Sequence, residues 1–270
     1  MVKICIDAGH WGSYNQSPSD SEYFESKAMW QLQEFLCSRL NELGVQTVKT
    51  RTLPELDLPL EQRGERAEGC SLFLSLHSNA VAGNTVRDDI DYPVAYVSIS
   101  GEADDIGLRL AQCVEQTMST VQKARIEHKR GSSGKDYYGV LRAAQSKGVP
   151  GVILEHSFHT NSRSVRWLGQ SDNLRLLADR EAKLIAEYFG VSLPDEPQKT
   201  VYRYLTDVPQ QDGFRAVIAE LMEAGVIRGD GGSPAAIDLS RDMVRLLVML
   251  HRAGVFDNIR EKNNNKEKTN

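Results

Sequence analysis

Three short apolar runs, far apart in the chain, each stop at a polar residue suited to binding a cation or moving a proton. They are Ile4-Cys5-Ile6-Asp7-Ala8-Gly9-His10, Leu72-Phe73-Leu74-Ser75-Leu76-His77 and Val152-Ile153-Leu154-Glu155. Runs of this length, rich in β-branched and aromatic residues, read as buried strands. In open α/β sheets, ligands bind just outside the carboxyl ends of the strands. His10, His77 and Glu155 are therefore expected to meet at one rim.

The rest of the chain supports such a sheet. Up to about residue 190, strands are expected near 2–7, 45–49, 71–77, 94–99 and 151–155. Amphipathic helices are expected near 22–43, 57–69, 102–122 and 173–189. This alternation predicts an α/β fold, a mostly parallel twisted sheet flanked by helices. Residues 191–201, with Pro194 and Pro197 among several charges, read as a linker, because proline there continues neither helix nor strand.

A small helical module is expected over residues 202–258. Its first helix places Phe214, Val217, Ile218, Leu221 and Met222 on one face. Its second begins at Ser240 as N-cap and presents Met243, Leu246, Leu247 and Leu250. Both helices run into a glycine, Gly225 or Gly254, suited to a left-handed C-cap. Two such helices make a thin core, so the module is expected to pack on a partner, either a second copy or the first domain. The polar tail, 259–270, is expected to be disordered.

Charge and cysteine usage narrow the functional classes. The net charge is −5 and no segment is strongly basic, which argues against nucleic acid as a partner. Cys5, Cys37, Cys70 and Cys113 form no CxxC pair, a pattern that fits a reducing compartment. Met1-Val2-Lys3 leads straight into the first strand without an apolar h-region, so no signal peptide is expected. No apolar run is long enough to cross a bilayer. The expectation is a protein made and folded in the cytosol, without membrane insertion.

The rim residues suggest zinc chemistry. A catalytic zinc takes three protein ligands and leaves one position open. His10 and His77 are natural ligands, and Glu25 is the best third. On a helix it shares a stripe with Met29, Leu32, Leu36 and Leu43, which puts a carboxylate on the inward face. A buried glutamate must be paired or bound to something. Glu22 is the alternative ligand, and Glu25 could instead pair with Lys27 or an arginine. Glu155 could act as general base on water whose pKa such a cation lowers toward ~7, then pass the proton to a leaving nitrogen.

Other polar residues carry weaker signals. His156 and His159 could contact substrate, tune Glu155 or simply stand at the rim. Ser157 lacks the Gly-x-Ser-x-Gly elbow of a serine nucleophile. His128-Lys129-Arg130-Gly131-Ser132-Ser133-Gly134-Lys135 lacks P-loop spacing and is expected to form a flexible lip. His128 and His251 are expected at the surface, and Trp30 and Trp167 in packing.

Taken together, several of these residues resemble a known family. They are Ile6-Asp7-Ala8-Gly9-His10, Glu25 opening a helix, Ser75-Leu76-His77-Ser78-Asn79-Ala80, Leu141-Arg142, and Val152-Ile153-Leu154-Glu155 with Phe158 and Asn161. Over roughly residues 1–190 the chain resembles the zinc-dependent N-acetylmuramoyl-L-alanine amidases of the amidase_3 family. The resemblance implies Zn2+ held by His10, Glu25 and His77, with Glu155 catalytic. It implies a peptidoglycan substrate, cut between the lactyl group of muramic acid and L-alanine of the stem peptide. The chain departs from the family pattern at Trp11, usually glycine, at Arg66-Ala67, usually Ala-Asn, and at His156 and His159, usually small or apolar. Trp11 could line the groove and stack on a sugar.

Leu205-Thr206-Asp207-Val208-Pro209, with Ala224-Gly225-Val226-Ile227-Arg228-Gly229-Asp230, resembles part of a surface-layer homology repeat. It is also similar to C-terminal modules of endolysins from phages of clostridia and related Gram-positive bacteria. That likeness implies binding to a cell-wall polymer; oligomerisation through the helix pair is the competing reading. The combination implies a phage or prophage endolysin, cytoplasmic until a holin releases it. A bacterial autolysin of the same activity, a non-catalytic peptidoglycan-binding protein, and another zinc hydrolase acting on peptidoglycan are the alternatives.

Overall fold

A computed structural model of the chain describes residues 2–193, 201–210, 213–232 and 235–256. Two compact units result, Met1–Pro194 and Asp195–Asn270. Most of the expected linker (194–200) and all of the expected tail (259–270) lie outside the described residues. Among the described residues no helix is long and apolar enough to cross a membrane.

The first unit runs β1 (Lys3–Ala8), α1 (Glu25–Glu42), β2 (Gln46–Lys49), α2 (Leu60–Glu65), β3 (Leu72–Asn79) and β4 (Val94–Val97). It continues with α3 (Asp104–Met118), β5 (Arg125–His128), α4 (Gly139–Ser146), β6 (Gly151–Phe158), α5 (Ser162–Leu168) and α6 (Ser171–Tyr188). One sheet orders the strands β2-β1-β3-β6-β4-β5. Neighbours are parallel except β4, which runs antiparallel to β6. This is the α/β architecture expected, with β4 and β5 reversed at one edge.

Helices cover both faces of the sheet, which is why its central strands are apolar almost throughout. On one face Met29, Leu32, Leu36 and Leu40 of α1 join Ile106 and Leu110 of α3 and Leu174 and Leu177 of α6 in a single core. On the other, Phe73 and Ile153 pack under Val140, Leu141 and Ala144 of α4. Each such large apolar side chain contributes about 1.5–3 kcal/mol on full burial.

Sequence patterning misses β5, α4 and α5. β5 is four residues of an edge strand, Arg-Ile-Glu-His, with only Ile126 partly buried, so its pattern looks like loop. α3 stops at Ser119, which adopts φ 54, rather than reaching residue 122. The loop expected to be a flexible lip is pinned instead. The Tyr137 N–H donates to Lys129 O and Gly131 N–H to Lys135 O. The buried Asp136 carboxylate accepts from Ser98 Oγ at 2.8 Å and from Ile99 N at 2.8 Å.

The second unit holds β7 (Val201–Tyr202), α7 (Phe214–Glu223), β8 (Leu239–Ser240) and α8 (Arg241–Arg252). β7 and β8 pair antiparallel. Val208, Ile218, Ile237, Val244 and Val248 form its core. Both helices end alike. The Val226 N–H donates to Leu221 O at 2.9 Å and the Val255 N–H to Leu250 O at 3.1 Å, across Gly225 and Gly254 in left-handed conformations. Ser240 caps α8 as expected, its Oγ accepting from Met243 N at 3.2 Å. The buried face of α8 is corrected: Val244 and Val248 face the core, Leu247 is half-buried, and Met243 and Leu246 are exposed.

Candidate metal centre

β1 and β3 lie side by side, with Ala8 paired to Leu76, so the residues just past them share one rim. The chain leaves β1 through Gly9, where a Cβ would sit 2.6 Å from His77 Nδ1 and 2.7 Å from Leu76 O. Only glycine fits against that ring. His10 then turns with φ 56, which swings its imidazole back over the rim. Glu25, the first residue of α1, reaches the same point from the helix start.

These three side chains converge. One donor atom from each of His10, Glu25 and His77 lies within 4.8 Å of the others. His77 Nδ1 is 2.9 Å from Glu25 Oε1, and His10 Nε2 is 3.4 Å from Glu25 Oε2. The two imidazoles stand nearly perpendicular, at 83° with centroids 5.0 Å apart. A single cation with bonds of about 2.0–2.2 Å can draw together a set at this spacing. Glu22, the alternative ligand, is exposed and outside the cluster. Lys27 sits over the Phe24 ring at 4.3 Å.

Hydrogen bonds set the tautomers. Ser75 Oγ donates to Asp7 Oδ2 at 2.6 Å, so at 3.1 Å it accepts from His77 Nε2–H. That leaves the His77 Nδ1 lone pair aimed at a carboxylate oxygen. Two acceptors meet there, which requires a proton or a cation between them. Asn15 Nδ2–H groups donate to Glu25 Oε2 at 2.6 Å and to His10 Nε2 at 3.0 Å, which marks Nε2 as the unprotonated nitrogen of His10. The donor set therefore fits a divalent cation, and the fit rests on this geometry.

The local field agrees. Burial pulls the His10 pKa down to about 4, so its imidazole is neutral as a ligand must be. Burial alone would raise Glu25, but the hydrogen bond and charge of His77 outweigh it and hold the carboxyl at about 2. His77 itself is raised: burial opposes its charge, and Glu25 more than compensates. A cation held by His10, Glu25 and His77 would supply the positive charge that this proton provides.

Glu155 stands beside His77 on β6, the two residues paired across the strands. Its Oε2 is buried with no hydrogen-bond partner among the described residues. Burial pushes its pKa up to about 7, with Glu25 adding to the rise and His77 opposing it. An acceptor left unsatisfied at this position, with an affinity for protons near neutrality, is what a general base needs.

Supporting residues lie beneath. Asp7 is buried and takes Arg63 in a two-pronged pair, Nε to Oδ1 at 2.9 Å and Nη2 to Oδ2 at 2.7 Å. Thr50 also donates to Asp7. The chain Arg63–Asp7–Ser75–His77 thus holds a ligand ring in one tautomer. His156 and His159 are both buried, at 0% and 2% exposure, and His159 Nδ1 lies 3.7 Å from Glu25 Oε2. His156 donates from Nδ1 to the His77 carbonyl at 2.9 Å and meets Glu181 Oε1 through Nε2 at 2.9 Å. His159 Nδ1–H bonds Ser78 O at 2.7 Å. The sequence assigns no role to Asp7, Arg63, Asn15 or Glu181. Only the polar Asp7 and Ser75 inside apolar strands carried a signal there.

Ser157 is buried and donates to Asp91 at 2.7 Å, a structural role. His128 pairs with Asp104 at 2.9 Å on the surface, as expected, and His251 lies 2.9 Å from Glu220. Trp30 packs under Arg51, and Trp167 against the core.

A helix-covered sheet with a His/Glu/His donor set and a carboxylate of raised pKa at its rim defines an α/β protein with a candidate metal site. Residues 4–187 match the model of the Amidase_3 family, described as N-acetylmuramoyl-L-alanine amidase. The chain belongs to that family.

Solved structures share its fold. Cwp6 from Clostridium difficile aligns at a TM-score of 0.57 and 21% identity over 69% of this chain, which spans 29% of that protein. The catalytic domain of CwlV, an N-acetylmuramoyl-L-alanine amidase from Bacillus (Paenibacillus) polymyxa var. colistinus, aligns at 0.56 and 20% identity, covering 71% of this chain and 100% of that one. The amidase AmiC2 of Nostoc punctiforme aligns at 0.55 and 24% identity, covering 70% and 97%. No curated protein matches the chain.

Proposed function

We propose that this protein is a zinc-dependent N-acetylmuramoyl-L-alanine amidase. It would hydrolyse the amide between the lactyl group of N-acetylmuramic acid and L-alanine of the peptidoglycan stem. The observation that carries the reading is the convergence of His10, Glu25 and His77 within 4.8 Å beside a Glu155 oxygen that has no hydrogen-bond partner among the described residues.

His10, Glu25 and His77 would hold the ion, and Zn2+ suits two imidazoles and a carboxylate. When bound, it supplies Lewis-acid polarisation of the carbonyl and stabilises the charge that develops on its oxygen. Glu155 takes one proton from water as the water oxygen bonds to the lactyl carbonyl carbon. It returns that proton to the alanine nitrogen as the C–N bond breaks. The products are a lactyl carboxylate and a new amino terminus. Asp7 and Ser75 hold the His77 ring during the cycle, and Asn15 holds Glu25 and His10.

Residues 202–258 are read as a module that binds a cell-wall polymer or a second copy, joined by the 191–201 linker. Its short likeness to a surface-layer homology repeat supports wall binding. With a catalytic unit and an anchor on one chain, effective concentration at the wall rises. We read the whole as an endolysin of phage or prophage origin acting on a Gram-positive wall, cytoplasmic until a holin opens the membrane. An autolysin with the same chemistry is the second reading, since the catalytic residues are the same in both.

The test is product analysis on purified cell walls. The reading expects new N-terminal alanine without new reducing sugar, loss of release on chelation, and recovery on adding zinc. New reducing ends, or release indifferent to chelator, would contradict it.

A further inference from the structure

Beside the metal centre, the loop after β1 holds two exposed aromatic rings, Trp11 at 41% and Tyr14 at 50% exposure. We infer that Trp11 and Tyr14 form a stacking platform for the pyranose ring of the muramic acid residue whose lactyl carbonyl is attacked; the inference rests on the amidase reading above.

The platform is built rather than accidental. Gly12 N–H donates to Pro54 O at 2.9 Å. Ser26, buried in the first turn of α1, accepts from Tyr14 N at 2.9 Å and donates to Gly12 O at 2.7 Å. The Glu25 N–H donates to Asn15 O at 3.0 Å. A loop fastened at this many points could have turned its aromatics inward, yet it presents them to solvent. Tyr14 lies flat on the ligand His10, with centroids 4.9 Å apart and planes 11° from parallel. An exposed ring seated on a ligand candidate, with an indole next in sequence to that same histidine and also exposed, offers a surface on which a flat apolar face can stack.

The chemistry says which half of the substrate lies there. Glu155 must reach the leaving alanine nitrogen to protonate it, so the departing peptide lies on the β6 side. β3 stands between β6 and β1 in the sheet. The acyl half, with its sugar one lactyl group away, therefore extends toward β1, His10 and the loop that follows. A pyranose has an apolar face of axial C–H groups that stacks on an aromatic ring. Its hydroxyl and acetamido groups stay at the edge in water. An indole is the largest such ring, with an N–H to spare for a polar neighbour.

The experiment compares two substrates on the full-length protein. One is a muramyl peptide; the other is the same peptide with its alanine nitrogen acylated by lactate alone. The ratio of kcat/KM between them reads the sugar's contribution. Trp11→Ala should lower that ratio by at least ~10-fold, and Trp11→Phe, which keeps a flat ring, should lose much less. The peptide-free disaccharide of N-acetylglucosamine and N-acetylmuramic acid should inhibit competitively, with its inhibition constant raised in Trp11→Ala. An unchanged ratio and inhibition constant in Trp11→Ala would overturn the inference. So would an equal loss on both substrates, which would make Trp11 a support for the metal loop. A wild-type protein that releases no alanine amino termini would instead bring down the amidase reading, an outcome visible before any variant is made.

Discussion

The buried pair His156–Glu181 makes a sharp test of how the rim is supported. Both side chains are 0% exposed, and their contact is 2.9 Å. His156 also donates to the His77 carbonyl, while Glu181 Oε2 has no partner among the described residues. Replacing Glu181 by leucine strands an imidazole in the core, and replacing His156 by leucine strands a carboxylate. Either should cost about 3–5 kcal/mol. For a unit of this size that is a fall in Tm of roughly 6–20 °C. The double replacement removes both polar ends together. It also removes the His156 bond to the His77 carbonyl, at a cost of about 1–3 kcal/mol. The double variant should therefore be more stable than either single variant, a coupling that a double-mutant cycle reads directly. Urea denaturation of the four proteins at neutral pH is the assay. Additive losses, or single losses under about 1 kcal/mol, would refute the assignment of a buried, mutually dependent pair.

The Glu155→Gln variant should keep its metal and its fold but lose at least ~10²-fold in turnover, measured by alanine release; undiminished turnover would remove Glu155 from the base role. Asp7→Asn should destabilise by about 3–5 kcal/mol at neutral pH, because it leaves Arg63 buried without its anion. The Asp7 pKa is lowered, since burial is outweighed by the Arg63 charge and the bonds from Arg63, Ser75 and Thr50. Its contribution is thus full above the unfolded value of about 3.9 and is lost as pH falls through the folded one. The gap between wild type and Asp7→Asn should shrink in acid, and a gap equally wide at acid and neutral pH would count against the network. A chain ending at Pro194 should still cleave but bind walls less well in a pelleting assay. Unchanged binding would make the second unit an assembly device.

Much of the fold was legible because its central strands are apolar end to end and stop at chemically distinctive residues. Glu25 was legible for a related reason: a carboxylate on an apolar helix stripe calls for a partner. What escaped the sequence was long-range. Nothing near Asp7 points to Arg63, which lies 56 residues away, and nothing near His156 points to Glu181 on α6. His156 and His159 follow the rim glutamate, so the sequence alone leaves substrate contact, tuning of Glu155 and a plain rim position all open. Residue 156 alternates to the opposite face of the sheet from Glu155, where α6 covers it. The buried face of α8 differs from the expected one because the helix is apolar at every position from Met243 to Leu250 except Arg245. Periodicity cannot choose a face when nearly all faces are apolar.

The most direct measurement is metal content of the purified protein and its ligand variants by elemental analysis. Wild type should carry a single equivalent of zinc. His10→Ala, Glu25→Ala and His77→Ala should each lose it, and Glu155→Gln should retain it. Zinc bound undiminished by all three ligand variants, or a wild type that takes up no divalent cation, would contradict the account at its centre.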